Sequence, residues 1–197
     1  MKTSINIKNL FVTVGASQAS HLLSAEPLAA RFVASGFGFR RPTPEIGEYW
    51  EGEGGIFIGW MPERDGGSAY PLVAASGPES EIKAAFGGGG HETKGAGSAH
   101  DGAANTLALL SDGKDHPAAS FAAKYTADGH GDFYLPARRE LMLCEINVPS
   151  QFTKGLYWSS TQRSAYYAYL MVFEVGWQGD DVKNAELLVR PVRRVLQ

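Results

Sequence analysis

The sequence has a single cysteine, Cys144, so no disulfide can form within the chain and a disulfide-stapled scaffold is excluded. It has no excess of one charge. The 18 Lys and Arg stand against 21 Asp and Glu, a formal net charge of −3. Up to residue 100 the balance is 8 basic to 10 acidic residues, and after it 10 to 11. Neither half offers the basic surface that a nucleic-acid backbone or an anionic membrane would attract. Long apolar runs are missing too. The longest, Ala165 to Phe173, is too short for a helix that crosses a bilayer. Leu10 to Val14 is too short for a secretory core, so neither a cleaved leader nor membrane insertion is expected.

What is present suits a packed core. Hydrophobic residues make up 44% of the 197 and charged residues 20%. The 24 Gly and 10 Pro point to short elements joined by many loops. Residues 5 to 14 are partly alternating and β-branched and read as one strand. Ser24 can cap a helix from about Glu26 to Gly36. Residues 36 to 55 read as irregular linker, with Glu45, Glu48, Glu51 and Glu53 as a solvated acidic stretch. Two strands follow, 55 to 60 and 70 to 75, and then a Gly-rich surface loop over 86 to 105. Helices are expected at 115 to 125, with Asp115 as its cap, and at 138 to 147. Three strands close the chain: 156 to 161, 166 to 175 and 186 to 195. A turn over 176 to 181 joins the last two.

Most motifs for chemistry fail on inspection. The Gly-rich loop has neither the Lys-Ser/Thr of a phosphate loop nor the glycine spacing of a dinucleotide fingerprint. The five histidines, at 21, 91, 100, 116 and 130, give no pair at i, i+4 to present to a zinc ion. Asp128-Gly-His-Gly-Asp132 resembles the start of a calcium loop, but Arg139 stands where the closing Glu belongs. At most a weakly bound calcium near Asp128 or Asp180 is expected, and no cofactor otherwise. Cys144 sits among Leu141, Met142, Leu143 and Ile146 and reads as a buried, inert thiol.

Aromatic residues are concentrated late in the chain: Tyr157, Trp158, Tyr166, Tyr167, Tyr169, Phe173 and Trp177. In the strand from Tyr166, one face carries Tyr167, Tyr169, Met171 and Phe173. The other carries Tyr166, Ala168, Leu170 and Val172. Such a strand is covered on both sides or offers one side to a partner.

Four blocks in order resemble the Lcl C-terminal-like domain family. Gly131-Asp-Phe-Tyr-Leu-Pro136, followed by Arg138 and Glu140-Leu141, is similar to its Asp-Trp-Arg-Leu-Pro-Thr-x-x-Glu-Leu signature. Tyr157-Trp-Ser-Ser-Thr161, then Tyr167-Ala-Tyr169 with Phe173, and Val189-Arg-Pro-Val-Arg193 resemble its later blocks. Phe133-Tyr134 stands in place of Trp-Arg, and Ala137 in place of Thr. The resemblance covers residues 54 to 197 and is strongest after 128; residues 1 to 50 resemble nothing we can name.

The resemblance implies an α+β, C-type lectin-like domain over 54–197, with an N-terminal attachment or oligomerisation arm over 1–50. Trp158, Tyr169 and Phe173 would fill its core, Asp132 would fix the turn before Pro136, and Arg190 and Arg193 would pin loops. The family includes phage tail-fibre tips, bacterial adhesins and variable proteins of diversity-generating retroelements. The expected function is therefore a non-enzymatic module that contacts a host-surface receptor, protein or glycan. It would sit in a virion tail, or in the bacterial cytoplasm before assembly, beside other tail proteins and as a homotrimer. A structural virion or surface protein without a receptor is the alternative. The third reading is a formylglycine-generating-type enzyme, whose cysteine chemistry is not expected of a chain with only Cys144. Ligand-contacting residues of this fold would fall between Gln162 and Leu188. The candidates are Arg163, Tyr166, Trp177, Gln178, Asp180, Asp181 and Lys183, with Trp177 in a polar turn near Arg163 and Tyr166.

Overall fold

The computed structural model describes residues 2–7, 10–15, 42–64 and 67–196. The chain divides into two units, Met1–Pro42 and Thr43–Gln197. In the first, strands β1 (Lys2–Ile7) and β2 (Leu10–Gly15) pair antiparallel, with Ile7 opposite Leu10. The single strand expected over 5 to 14 is thus a hairpin, because the chain reverses between those two residues. The helix expected after Ser24 lies outside the described residues.

The second unit is α+β, with two small sheets and three helices among the described residues. Strands β3 (Tyr49–Trp50), β4 (Gly55–Met61), β5 (Tyr70–Ala74) and β11 (Val192–Arg194) form an antiparallel sheet in the order β11-β5-β4-β3. Residues 43 to 50, expected in the arm, therefore belong to this unit. Trp50 packs its ring edge against Phe57, and both are buried with Val73 and Val195. Strands β6 (Ile82–Ala85), β7 (Leu156–Gln162), β8 (Tyr167–Val172), β9 (Trp177–Val182) and β10 (Glu186–Val189) form the other sheet, ordered β6-β10-β7-β8-β9. Its one parallel pair is β10 with β7.

Helix α1 (Gly102–Ser111) was not expected: its first four residues fall in the loop expected over 86 to 105, and Gly102, Asn105 and Thr106 are weak helix formers. The Asp101 carboxylate caps it by accepting from the Ala104 amide. Helix α2 (Pro117–Lys124) begins on His116, not on the expected Asp115, which stays exposed. Helix α3 (Arg138–Asn147) matches its expected limits. The last strand is broken in two and shared between the sheets. Pro191 has no amide hydrogen for a ladder, and the chain changes sheets there.

Both faces of the five-stranded sheet are covered. Tyr157, Met171 and Phe173 pack with Leu141 and Cys144 of α3 and with Ile58 and Leu72 of the other sheet. Trp158, Ala168 and Leu170 pack on the opposite face with Phe86, Leu109 of α1 and Ala118, Ala119 and Ala122 of α2. The indole N–H of Trp158 donates to the carbonyls of Ala84 and Ala185, so the buried ring leaves no polar atom stranded. The expected core positions of Trp158 and Phe173 hold; Tyr169 is only half-buried, its ring 4.5 Å beneath the Arg138 guanidinium. Among the described residues no helix is long and apolar enough to cross a membrane.

Candidate functional site

The Trp-Ser-Ser-Thr block of β7 explains how the Gly-rich segment is held. Between Trp158 and Gln162 the pairing of β7 with β8 is irregular, which frees Ser159, Ser160 and Thr161 for other partners. The Ser160 amide donates to the Pro136 carbonyl, and its hydroxyl accepts from Asn105 of α1. The Thr161 hydroxyl donates to the Ser98 carbonyl and accepts from the Arg138 amide. One stretch of strand therefore positions the starts of α1 and α3 and the end of the Gly-rich segment. That segment is not a freely exposed loop: Phe86, Thr93 and Ala96 are buried. Gln162 fastens its middle, with its amide bonded to the Ala96 carbonyl and its side chain accepting from the Thr93 amide.

Lys183 completes this fastening and is not a surface residue. Its ammonium donates to the His91 carbonyl and to Gln162 Oε1, both at 2.7 Å, and the side chain is fully buried. Burial lowers its pKa from the ordinary lysine value, against the pull of Asp112 and Glu92. Lys183 anchors the segment that borders the candidate surface and is too buried to touch a ligand directly.

The turn expected over 176 to 181 is instead strand β9, at the edge of the sheet. Its register settles where the other candidates point. Trp177 pairs with Val172, and Val182 with Tyr167, so Trp177 and Tyr166 lie at opposite ends of the β8–β9 hairpin. At about 3.3 Å per residue, the six residues from Val172 back to Tyr166 separate them by about 20 Å. Side chains alternate between faces, which sets Trp177, Gly179 and Asp181 on one face and Gln178, Asp180 and Val182 on the other. Trp177 therefore does not join Arg163 and Tyr166 in one aromatic anchor with a polar rim. Arg163 instead pairs with Asp180, and Gln178 donates to the Arg138 carbonyl at 2.7 Å.

Two exposed groupings result. At one end, Tyr166 is 64% and Tyr167 43% exposed. Beside the Arg163–Asp180 pair there, Glu92, Thr93, Lys94, Gly95, Gly97, Gln162 and Arg163 line a cleft of about 660 Å³. At the other end Trp177 is 60% exposed and its indole lies across Gly179, where any Cβ would collide with the ring.

The acids considered for calcium are already occupied. Asp128, at φ 49°, accepts from the amides of Gly52 and Gly54 and from the Tyr49 hydroxyl, and these bonds hold its carboxyl below the usual range. Asp180 is paired with Arg163. Among the described residues no group of three or more His, Cys, Asp or Glu could hold a metal ion.

The scaffold arginines do pin loops. Arg190 bonds the Ala75 and Gln151 carbonyls and Glu81, and lies over the Phe152 ring. Arg193 pairs with Glu53, so that acid is not merely solvated. Asp132 stands 3.5 Å from Arg193 and is half-exposed. No hydrogen bond between Asp132 and the turn before Pro136 is seen among the described residues, and Asp128 holds a different segment, the loop over 49 to 54.

A further cluster escaped the sequence reading. Glu140, fully buried, accepts from the hydroxyls of Tyr70 and Tyr134 at 2.8 and 2.7 Å and from the amides of Gly102 and Ala137 at 3.1 and 2.8 Å. Arg194 stands 3.6 Å away. All four bonding partners are donors, so both carboxylate oxygens act as acceptors. Burial raises the Glu140 carboxyl against the opposing effect of these bonds, and burial and Glu140 together raise both tyrosines. The available signal was Glu140 at the third position of a helix, the usual place for a side chain that reaches back to the helix start.

No family model matches the chain, and no curated protein matches it.

Proposed function

We propose that residues 43 to 197 form a C-type lectin-like, non-enzymatic binding module of the Lcl C-terminal-like kind. In this reading it contacts a host-surface receptor as part of a phage or prophage tail tip. The observation that carries the reading is the exposed rim of the β8–β9 hairpin. Tyr166, Tyr167 and Trp177 are held in the open by a sheet whose two faces are packed beneath them. Stiff aromatic side chains on a rigid support lose little entropy on binding, which suits them to recognition. The cleft beside Arg163 adds Lys94 and Glu92 as polar contacts. The N-terminal unit serves as the attachment or trimerisation arm in this reading, and no cofactor is needed. Cys144 gives the formylglycine-type alternative no support, because burial raises its thiol well above the ordinary value.

The test is binding of the purified full chain to host cells, beside the melting temperature of each variant. Arg163→Ala and Tyr166→Ala are expected to weaken binding, the aromatic change by about 2 kcal/mol, with little loss of stability. Trp177→Ala probes the other end, and a receptor that spans the hairpin is weakened by it as well. A parent chain that binds no host cell, or three variants that all bind like the parent, would sink the receptor reading in favour of a purely structural role.

A further inference from the structure

A second cleft, of about 660 Å³, opens in the four-stranded sheet region far along the chain from the β8–β9 rim. Its size falls within the roughly 300–1,000 Å³ of small-molecule sites. Met61, Pro62, Pro71 and Leu196 give it apolar walls, and Arg194 and Asp101 give it a polar wall.

These two polar residues are held rigidly but only half used. The Arg194 guanidinium stacks 4.3 Å over the Tyr70 ring. Its Nε donates to the Tyr134 hydroxyl at 3.3 Å and its Nη2 to Asp101 Oδ1 at 2.8 Å. Nη1 has no partner among the described residues, although the side chain reaches solvent. Asp101 Oδ1 also takes the Ala104 amide, while its Oδ2 has no partner among the described residues and the side chain is 44% exposed. A fixed donor and a fixed acceptor thus stand side by side at an apolar wall.

The charges decide what would fit. Arg64 and Arg194 border the cleft, against Asp101 in it and the buried Glu140 behind Arg194. Among the described residues these carboxylates offset the two arginines, so neither sign dominates and a neutral ligand is the best match. A hydroxyl both donates and accepts, and two adjacent hydroxyls match a guanidinium N–H beside a carboxylate oxygen. The C–H face of a sugar ring would lie on the apolar walls. We propose that this cleft is a binding site for a neutral polyhydroxylated ligand, a single sugar unit, held by Arg194 and Asp101. The assignment is independent of the receptor surface proposed above.

The test is amide NMR of the full chain titrated with methyl glucoside, methyl galactoside and methyl mannoside. Concentrations up to about 50 mM reach affinities in the millimolar range. Saturable shifts at the amides of Ser68, Asp101 and Gly102 with at least one glycoside are expected. Asp101→Asn keeps a good helix cap and replaces one acceptor by a donor, so it should weaken that binding at least tenfold. Ala69→Trp, at an exposed rim position, should abolish it by filling the cleft while the melting temperature stays unchanged. No shift with any glycoside overturns the proposal. Shifts with glucuronate alone, or shifts that persist in Ala69→Trp, overturn it too, the first by showing an anion site and the second by placing the sugar elsewhere.

Discussion

The buried His116 ring is hydrogen-bonded to the Asp112 carboxylate, which ties α1 to α2. Nε2 of His116 lies 3.1 and 3.2 Å from the two Asp112 oxygens, and its Nδ1 lies 3.1 Å from the Phe86 carbonyl oxygen. Thr93 donates to the same carboxylate, which joins the Gly-rich segment to the pair.

This arrangement has a pH signature. Burial alone would raise the Asp112 carboxyl, but the bonds from Thr93, the Lys114 amide and His116 outweigh it and hold the group at about 2. A folded value below the unfolded one adds stability that is full above about pH 4 and is lost as the pH falls towards 2. Asp112→Asn should cost on the order of 2 kcal/mol at neutral pH and flatten the acid side of the stability profile. Urea unfolding across the acid range checks this. An equal loss at pH 7 and near pH 2 would show that the charge is not what matters.

Glu140 clamps the starts of two helices, so its loss should be felt at both. Glu140→Ala leaves two tyrosine hydroxyls, two amides and Arg194 short of an acceptor, and a cost of about 3–5 kcal/mol is expected. Hydrogen exchange should accelerate at the amides of Gly102 and Ala137 together. Acceleration at only one of them would mean that the helices are held separately.

The tryptophans should separate by burial. Trp158→Ala is expected to destabilise the chain by about 3–5 kcal/mol, while Trp177→Ala should stay within about 0.5 kcal/mol. Acrylamide should quench the Trp177 fluorescence and spare that of Trp158. A large drop in melting temperature for Trp177→Ala would place that ring in a supporting role.

Cys144 should be inert in the native chain. It is fully buried, and its burial raises the thiol. Iodoacetamide at neutral pH should label it only after denaturant is added, as read by mass spectrometry. Rapid labelling of the folded chain would require an opening of the α3 packing.

The sequence by itself determined those parts that depend on local pattern. The limits of α3 follow from Pro136 before it and Pro149 after it, and the strands around Phe57 and Val73 follow from dense apolar runs. The two-faced apolar strand at Tyr167 to Val172 left open a sheet covered on both sides or one side offered to a partner, and the packing shows two cores meeting there. Tertiary structure decided what depended on distant partners. β9 is polar, and its strand pairing is supplied by β8. α1 has weak helix formers, and its start is fixed by Asp101 and by Glu140 from 38 residues away. The candidate surface was legible as a set of exposed aromatic and charged residues. Which of them meet was not, because a shift of one residue in a strand reverses the face of each side chain. Register placed Trp177 away from Tyr166, and burial turned Lys183 inward, because its charge finds acceptors in His91 and Gln162 that no local pattern could reveal.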